Sequence, residues 1–380
     1  MNVRSCNLIG LAALAVLWKF SAPAQSLPAA AAHPPALPRR SSIILIVADG
    51  LGYGDLSCYG QRQFQTPNLD KLAAEGVRFT NYFAGATNPV AAWAALMLGR
   101  ETGSRGQRMA PELTVAQILQ RAGYHTGLIG EWNLGDEHSP NAPWKKGFDE
   151  FAGYLNAEDA ENFYADYLFR YAPYVTFDGT NRQFNAFIGR EMLYGNTGGR
   201  RGEFLPSLLT KAALNFMKNN QPDWFNHYRP FFLVLNYKIP GNGLGQVPTD
   251  APYSEEPWPQ AERNRAAMIA RLDNYVGQIR GQLDKLGMTN NVAIFFTSDT
   301  PARKSGGMDP AFFHSNISTN DLRVPMILFW PGHVPAGLVS GFRWSAWDFL
   351  PTAAEIGFAK TPPETTGPSI LSADAQELSP

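Results

Sequence analysis

Short apolar segments of strand length recur along this chain, and longer segments with helical spacing separate them. The first apolar run covers residues 43–48 and is typical of a strand whose two faces are both buried. Comparable runs lie at 126–129, 231–236, 292–296 and 326–330. This alternation predicts an α/β fold with a mostly parallel central sheet flanked by helices.

Capping residues mark the ends of two predicted helices. Thr66 followed by Pro67 indicates a helix start, and Gly76 indicates its end. Thr114 and Gly123 bracket a second helix in the same way. Apolar positions at helical spacing predict further helices over 208–219, 260–286 and 348–356.

Two parts of the chain lack a clear pattern. Apart from the helix at 208–219, we interpret residues 150–230 as irregular insertions over the functional edge of the sheet. Their aromatic side chains are expected to pack as a satellite core, with stacking on sugar rings as the alternative. These side chains are Phe163, Tyr164, Tyr167, Phe169, Tyr171 and Tyr174. Residues 361–380 are polar and Pro/Ser-rich, which predicts a loose polar tail.

The start of the chain resembles an export signal. Arg4, an apolar core at 8–18 and Ala22-Pro23-Ala24 predict a signal peptide over 1–24. A Pro/Ala-rich linker over 25–40 then leads into an α/β domain over 41–360. We therefore expect a periplasmic or extracellular protein, and cleavage would leave Cys58 as its only cysteine.

Charge and hydropathy exclude two classes of function. A formal net charge of −1 argues against a nucleic-acid-binding protein, which would carry a basic patch. No stretch after the signal is long and apolar enough to predict a membrane span. Roughly 340 remaining residues are enough to bury a large core.

Several short motifs follow one another along the chain. They are Gly52-Tyr53-Gly54-Asp55-Leu56, Thr66-Pro67-Asn68-Leu69-Asp70, Leu72-Ala73-Ala74-Glu75-Gly76-Val77-Arg78-Phe79-Thr80-Asn81, Leu128-Ile129-Gly130, Gly147-Phe148-Asp149 and Arg323-Val324-Pro325. Their order and spacing resemble the sulfatase family of the alkaline phosphatase superfamily. The resemblance spans about 42–360 and implies a sulfatase-like α/β fold. It also implies an active site for sulfate-ester hydrolysis at the carboxyl ends of the strands.

The family's nucleophile motif, C/S-x-P-S-R, is degenerate here. Pro89 occupies the nucleophile position and Trp93 replaces the arginine. Covalent catalysis requires an activated nucleophile, and proline offers none. An alternative is that Thr87 acts as in the T-x-P motif of superfamily phosphodiesterases, although it lies two residues too early.

Other positions that the resemblance marks as catalytic have also changed. Glu131 and Asn133 stand where the family carries lysine and histidine, and Lys238 and Gly241 replace a histidine pair. His314 aligns with a further expected lysine and is interpreted as a loop histidine. The sulfate-binding cations implied by the resemblance are therefore missing.

The implied divalent-cation site is reduced as well. Asp49 is followed by Gly50 where the family has two aspartates, and Thr300 follows Asp299 where an amide is expected. Because a hard cation takes about six or more oxygen ligands, Asp49, Asp299 and Thr300 would hold Ca²⁺ weakly or not at all. The alternatives are that Lys238 and Glu131 form an ion pair replacing the cation, or that both are solvated.

These observations predict an exported sulfatase-like protein with impaired catalysis, which acts by binding an anionic or glycan ligand. The alternative is a sulfuric-ester or phosphoric-ester hydrolase with an altered active site. A structural subunit with an aromatic partner interface is a third interpretation, and the sequence names no protein partner.

Overall fold

The computed structural model describes residues 40–102, 112–161, 163–178, 181–241, 247–302 and 322–372. The predicted signal peptide, the linker up to residue 39 and His314 lie outside the described residues. Residues 40–380 belong to one compact unit. None of the described helices has the combined length and apolarity that a membrane crossing needs.

Helices and strands alternate from the first strand onward. The strands are β1 (Ser42–Asp49), β2 (Val77–Phe79), β3 (Tyr82–Phe83), β4 (His125–Glu131), β5 (Glu150–Tyr154), β6 (Tyr167–Asp178), β7 (Asn181–Met192), β8 (Phe231–Pro240), β9 (Val292–Ser298), β10 (Met326–Phe329), β11 (Leu338–Ser340) and β12 (Trp344–Ser345). The helices are α1 (Pro67–Ala74), α2 (Pro89–Leu98), α3 (Val115–Arg121), α4 (Ala157–Glu161), α5 (Leu205–Asn219), α6 (Gln260–Lys285) and α7 (Phe349–Ile356). The predicted strands and helices are confirmed, with ends that shift by at most four residues.

Ten of these strands form one sheet in the order β11-β2-β10-β9-β1-β8-β4-β5-β6-β7. The five central strands, β9 through β5, run parallel to one another, whereas β10 and the β6–β7 hairpin pair antiparallel at the flanks. The predicted fold class, a mostly parallel sheet flanked by helices, is confirmed. The carboxyl ends of the parallel strands meet at one edge, where α/β proteins place their ligands.

The first strand is apolar on both faces because helices cover both faces of the sheet. Ile44 and Ile46 pack into the core formed with α1, α5 and α6. Ile43 and Leu45 point the other way, into the core formed with α2, α3 and α7. Parallel strands buried on both sides are typically continuous apolar runs. This packing fixes β1 at the centre of the sheet and delivers Asp49 to its carboxyl edge.

The prediction for residues 150–230 was wrong. Besides α5, this region contributes β5 and the twelve-residue strands β6 and β7, which extend the sheet to its far edge. Aromatic residues favour strands, and the Asp178-Gly179 dipeptide is typical of a hairpin turn. Phe163 and Phe169 are buried, but they belong to the two main cores and not to a separate satellite core, and Tyr174 is 50% exposed.

The prediction of a loose tail is wrong for residues 361–372. The Ile370 side chain is buried, and its backbone N–H donates to the Thr352 hydroxyl at 3.2 Å. The Thr366 N–H donates to the Gly99 carbonyl at 3.1 Å. Ile370, the neighbouring Leu371 and these hydrogen bonds hold the segment against the core, and residues 373–380 lie outside the described part.

Candidate functional site

Asp49 ends β1 at the carboxyl edge of the sheet, between β8 and β9. Its carboxylate lies 3.0 Å from the Lys238 ammonium group, which projects from β8. The pairing of the two strands shifts register between Ala48 and Asp49, and the Gly241 N–H donates to the Asp49 carbonyl at 2.9 Å. The end of β1 is therefore fixed by both the backbone and the side chain of its neighbour.

Lys238 contacts a second carboxylate from the other neighbouring strand. Glu131, the last residue of β4, lies 3.2 Å from the same ammonium group. The side chains of Lys238, Asp49 and Glu131 are 18%, 15% and 9% exposed. Burial alone would lower the pKa of Lys238, but the two carboxylates more than offset this and raise its pKa above the ordinary value. Lys238 therefore stays charged and bridges Asp49 to Glu131.

Asp299 follows β9 and completes the cluster. Its Oδ1 accepts hydrogen bonds from the Gly50 N–H at 3.1 Å and from the Thr300 hydroxyl at 3.0 Å. Burial, and then the negative charge of Asp49, raise the pKa of Asp299 to about 8, although both hydrogen bonds act in the opposite direction. At neutral pH the Asp299 carboxyl therefore carries a proton for much of the time.

The structure brings five of the predicted site residues together: Asp49, Glu131, Lys238, Asp299 and Thr300. The Asn133 backbone is held in the left-handed region at φ 54°, and its N–H donates to Leu155. No hydrogen bond within the described ranges joins the Asn133 side chain to the cluster. Asn133 therefore lies in the loop that follows β4, next to the functional edge.

Pro89 and Trp93 lie on α2 in roles that suit a helix. Pro89 is the first residue of the helix, and Asn88 caps it by accepting from the N–H groups of Val90 and Ala91 at 2.9 and 3.2 Å. Thr87 is exposed ahead of this cap. At the family's nucleophile position, this chain therefore carries residues that cap and start a helix.

Trp93 is buried, at 3% exposed. Its ring meets the Trp132 ring edge to face at a centroid distance of 6.4 Å. Within the described part of the chain the Trp93 indole N–H has no hydrogen-bond acceptor, which costs on the order of 1–3 kcal/mol. Trp93 and Trp132 both belong to the core on one face of the sheet, and Trp132 directly follows Glu131.

Sequence reasoning missed two residues that position the site. Arg265, on the buried face of α6, donates to the Asp55 carboxylate at 2.6 Å and to the Gly50 carbonyl at 2.9 Å. The same Asp55 oxygen accepts from the Gly52 N–H at 2.8 Å. The available signal was a charge on the apolar stripe of α6, since Arg265 lies seven residues before Leu272. This buried pair holds the turn that follows Asp49.

The described residues at this edge do not fit a divalent cation. Asp49 is already paired with Lys238, and Asp299 Oδ1 already accepts two hydrogen bonds. Gly50 and Gly241 supply no side-chain oxygen or nitrogen. Across the described ranges, no group of three or more His, Cys, Asp or Glu side chains is spaced to hold a metal ion. The oxygen atoms that these side chains offer are fewer than the roughly six or more that Ca²⁺ takes.

The charges at the cluster also oppose the binding of an anion. Two carboxylates surround a single ammonium group, even before Asp299 is counted. Like charges within several ångströms repel strongly in a partly buried setting. The described residues of the cluster can therefore fix the strand ends and bind neutral hydrogen-bonding groups, whereas their summed charge opposes sulfate.

The sulfatase family model matches residues 41–357, and this chain belongs to the sulfatase family. It is 30% identical to the N-acetylgalactosamine-6-sulfatase of Sus scrofa, over 86% of this chain and 64% of that protein. It is 29% identical to the arylsulfatase A of Homo sapiens, over 86% of this chain and 66% of that protein. The chain thus spans just under two thirds of the length of these relatives.

Solved structures confirm the fold. Ps i-CgsB superposes with a TM-score of 0.70 at 27% identity, covering 89% of this chain and 77% of that one. The same protein in complex with k-i-k-neocarrahexaose gives a TM-score of 0.69. The phosphonate monoester hydrolase of Agrobacterium radiobacter shares the fold at 18% identity and a TM-score of 0.63.

Proposed function

We propose that this sulfatase-family protein is exported, does not hydrolyse sulfate esters and acts by binding a glycan. The observation that carries the proposal is the Lys238 ammonium group, which bridges Asp49 and Glu131 at 3.0 and 3.2 Å. Lys238 supplies the positive charge that links the strand ends, so the fold does not need a divalent cation there.

The changes at the nucleophile position support the same proposal. Pro89 has neither a thiol nor a hydroxyl, and Trp93 is a buried core residue where an arginine would face the sulfate. Sulfate-ester hydrolysis by this family depends on both groups. With two carboxylates around one ammonium group, the cluster also fails to concentrate the anionic substrate.

A glycan is the ligand class that the relatives favour, since Ps i-CgsB has been solved with a neocarrahexaose bound. At the carboxyl edge of this chain, hydroxyl groups of a neutral sugar ring could bond to Asp49, Glu131 or Asp299. A sulfate group would meet net negative charge at the same place. We therefore expect any sugar bound at the cluster to contact it through hydroxyl groups.

The alternative is an ester hydrolase with altered chemistry, and one observation favours it. The Thr87 side chain is exposed just ahead of α2, where its hydroxyl is accessible to a substrate. A threonine hydroxyl still needs a base or a metal ion to become a nucleophile. The described residues place no such group in contact with Thr87, which is why binding is the preferred proposal.

An activity assay tests the proposal against this alternative. The protein is coexpressed with a formylglycine-generating enzyme and incubated at high concentration with 4-nitrocatechol sulfate and bis(4-nitrophenyl) phosphate. We expect no turnover above the blank with either substrate. Turnover that disappears in Asp49→Ala would overturn the proposal, and turnover that disappears in Thr87→Ala would establish the threonine hydrolase.

Export is tested by N-terminal sequencing of protein recovered from the compartment outside the inner membrane. Cleavage after Ala24 is expected from the Ala22-Pro23-Ala24 motif. An intact Met1 on protein that stays inside the cell would contradict export without affecting the binding proposal.

A further inference from the structure

A second candidate site lies at the opposite end of the central strands. A cleft of about 630 Å³ opens between the end of α3 and the segment that follows α7. This volume lies within the range of about 300–1,000 Å³ that is typical of ligand sites. Arg40 lines the cleft and precedes β1, whereas Asp49 ends β1. At about 3.3 Å per strand residue, the two sites are on the order of 25 Å apart.

Three basic side chains surround this cleft. Arg40, Arg121 and Lys360 are all exposed, and among the described lining residues Glu364 is the one that is acidic. Within the described ranges, neither Arg121 nor Lys360 lies within ion-pair distance of a carboxylate, and Arg40 donates to the Ala122 carbonyl. The cleft therefore carries a net positive charge, in contrast to the cluster around Lys238.

Phe358 adds an aromatic ring to the lining in a conformation that has a cost. It is 63% exposed and lies at φ 51°, in the left-handed region that normally takes glycine at a helix end. The neighbouring glycine does not take up this conformation, since Gly357, which precedes Phe358, lies at φ −80°. A non-glycine residue pays about 1–2 kcal/mol for this conformation. Because the Phe358 ring is mostly exposed, its burial contributes little free energy to offset this cost. Packing therefore does not explain why phenylalanine stands at this position.

Apolar side chains complete the floor of the cleft. Leu113 and Ile118 come from the α3 side, and Pro362 and Pro363 come from the segment after α7. A sugar ring has nonpolar C–H faces that stack on such surfaces, and the arginine fork suits carboxylate or sulfate groups. The lining therefore matches a ligand that combines ring faces with negative charge.

We propose that this cleft binds an acidic glycan, with Arg121 and Lys360 contacting its anionic groups and Phe358 stacking on a sugar ring. The inference rests on the proposed function, because it supplies a surface for the anionic groups of a glycan, which the negatively charged cluster does not favour. The carboxylate of a uronic acid and a sulfate ester share the chemistry that the cleft recognises.

Isothermal titration tests the proposal with three probes: hexagalacturonate, a heparin hexasaccharide and the neutral cellohexaose. We expect the wild-type protein to bind at least one acidic probe, with an affinity that falls as salt rises, and to bind cellohexaose more weakly. Arg121→Ala/Lys360→Ala should lose about tenfold in affinity for the acidic probe. The control Arg62→Ala/Lys285→Ala removes the same two exposed residue types elsewhere and should bind like wild type.

Substitutions of Phe358 separate a role in ligand binding from a role in the stability of the fold. Phe358→Gly should leave the melting temperature unchanged or higher, because glycine adopts the left-handed conformation freely, while affinity for the acidic probe falls. Phe358→Ala should lose the same affinity. A lower melting temperature in Phe358→Gly with unchanged affinity would assign the ring a structural role and overturn its part in binding.

Three results would overturn the cleft as a glycan site. They are the absence of binding to both acidic probes, equal loss in the control variant, and equal binding of cellohexaose. Binding to anionic lipid vesicles without binding to either acidic probe would assign the cleft to a membrane surface instead. Sulfatase turnover in the assay above would overturn the proposed function but not the cleft, so the two failures are distinguishable.

Discussion

Lys238 and Asp49 form an ion pair across adjacent strands, with Nζ and Oδ2 at 3.0 Å and both side chains less than one fifth exposed. Because Lys238 also contacts Glu131, one ammonium group joins the ends of β1, β8 and β4. The cluster is thus a structural element that links three strand ends, and its energetics can be measured.

Replacement of Lys238 should destabilise the fold. In Lys238→Met, Asp49 and Glu131 would face each other in a partly buried setting without a counter-charge. We expect a loss of about 2 kcal/mol, below the full cost of breaking a deeply buried pair because the group is partly solvated. Urea unfolding measures the loss. Lys238→Met/Glu131→Gln should recover part of the stability, and equal stability of Lys238→Met and wild type would refute the ion-pair account.

Asp299 should make stability depend on pH in a defined direction. Its folded-state pKa of about 8 lies above the value near 4 of an unfolded aspartate, so the folded state binds more protons between these values. Its contribution to stability is therefore present at low pH and is lost as pH rises through about 8. Asp299→Asn should gain stability over wild type at pH 9 and lose that advantage near pH 4. Melting curves across this range test the sign, and parallel pH profiles of the two proteins would contradict it.

We predict that replacing Arg265 destabilises the fold more than replacing the other residues that position the site. Arg265→Met would leave the buried Asp55 carboxylate without its partner, which costs about 3–5 kcal/mol. Arg265→Met/Asp55→Asn removes the unpaired charge as well. A double-mutant cycle should therefore show that the two losses are not additive. Additive losses would mean that the pair does not hold the Gly50 turn.

Pro89→Cys should not restore a sulfatase. The cysteine would start α2, but Ala91, Ala92 and Trp93 still break the maturation motif, and the cluster still lacks cation ligands. After coexpression with the maturation enzyme, mass spectrometry should find unmodified cysteine, and sulfate esters should not turn over. Recovery of activity by this one substitution would show that the remaining site is competent.

The apolar pattern was sufficient to predict the centre of the fold. Residues 43–48 are apolar on every face because β1 is covered on both sides, and that signal needs no tertiary information. The β6–β7 hairpin was missed because aromatic strands at a sheet edge lack a clean alternation, although Asp178-Gly179 marked the turn. The burial of Ile370 depends on its packing near α7, and the local sequence around Ile370 does not predict it.

The sequence predicted which residues form the cluster better than it predicted the ion pairs among them. Motif order placed Asp49, Glu131, Lys238 and Asp299 together, and the Lys238–Glu131 pair was one of two alternatives. Which partners the ammonium group takes depends on three strands meeting at one edge. The Arg265–Asp55 pair depends on the docking of α6 and was not predicted, although a charge on a buried helix face is a usable signal.

The central claim is that Lys238 takes the place of a divalent cation, and calcium titration tests it most directly. A cation that binds only the folded state stabilises it by about 2.7 kcal/mol at a hundredfold excess over its dissociation constant. We predict that millimolar Ca²⁺ leaves the melting temperature of the wild-type protein essentially unchanged. A large Ca²⁺-dependent rise that Asp49→Asn abolishes would contradict the account and establish a working metal site.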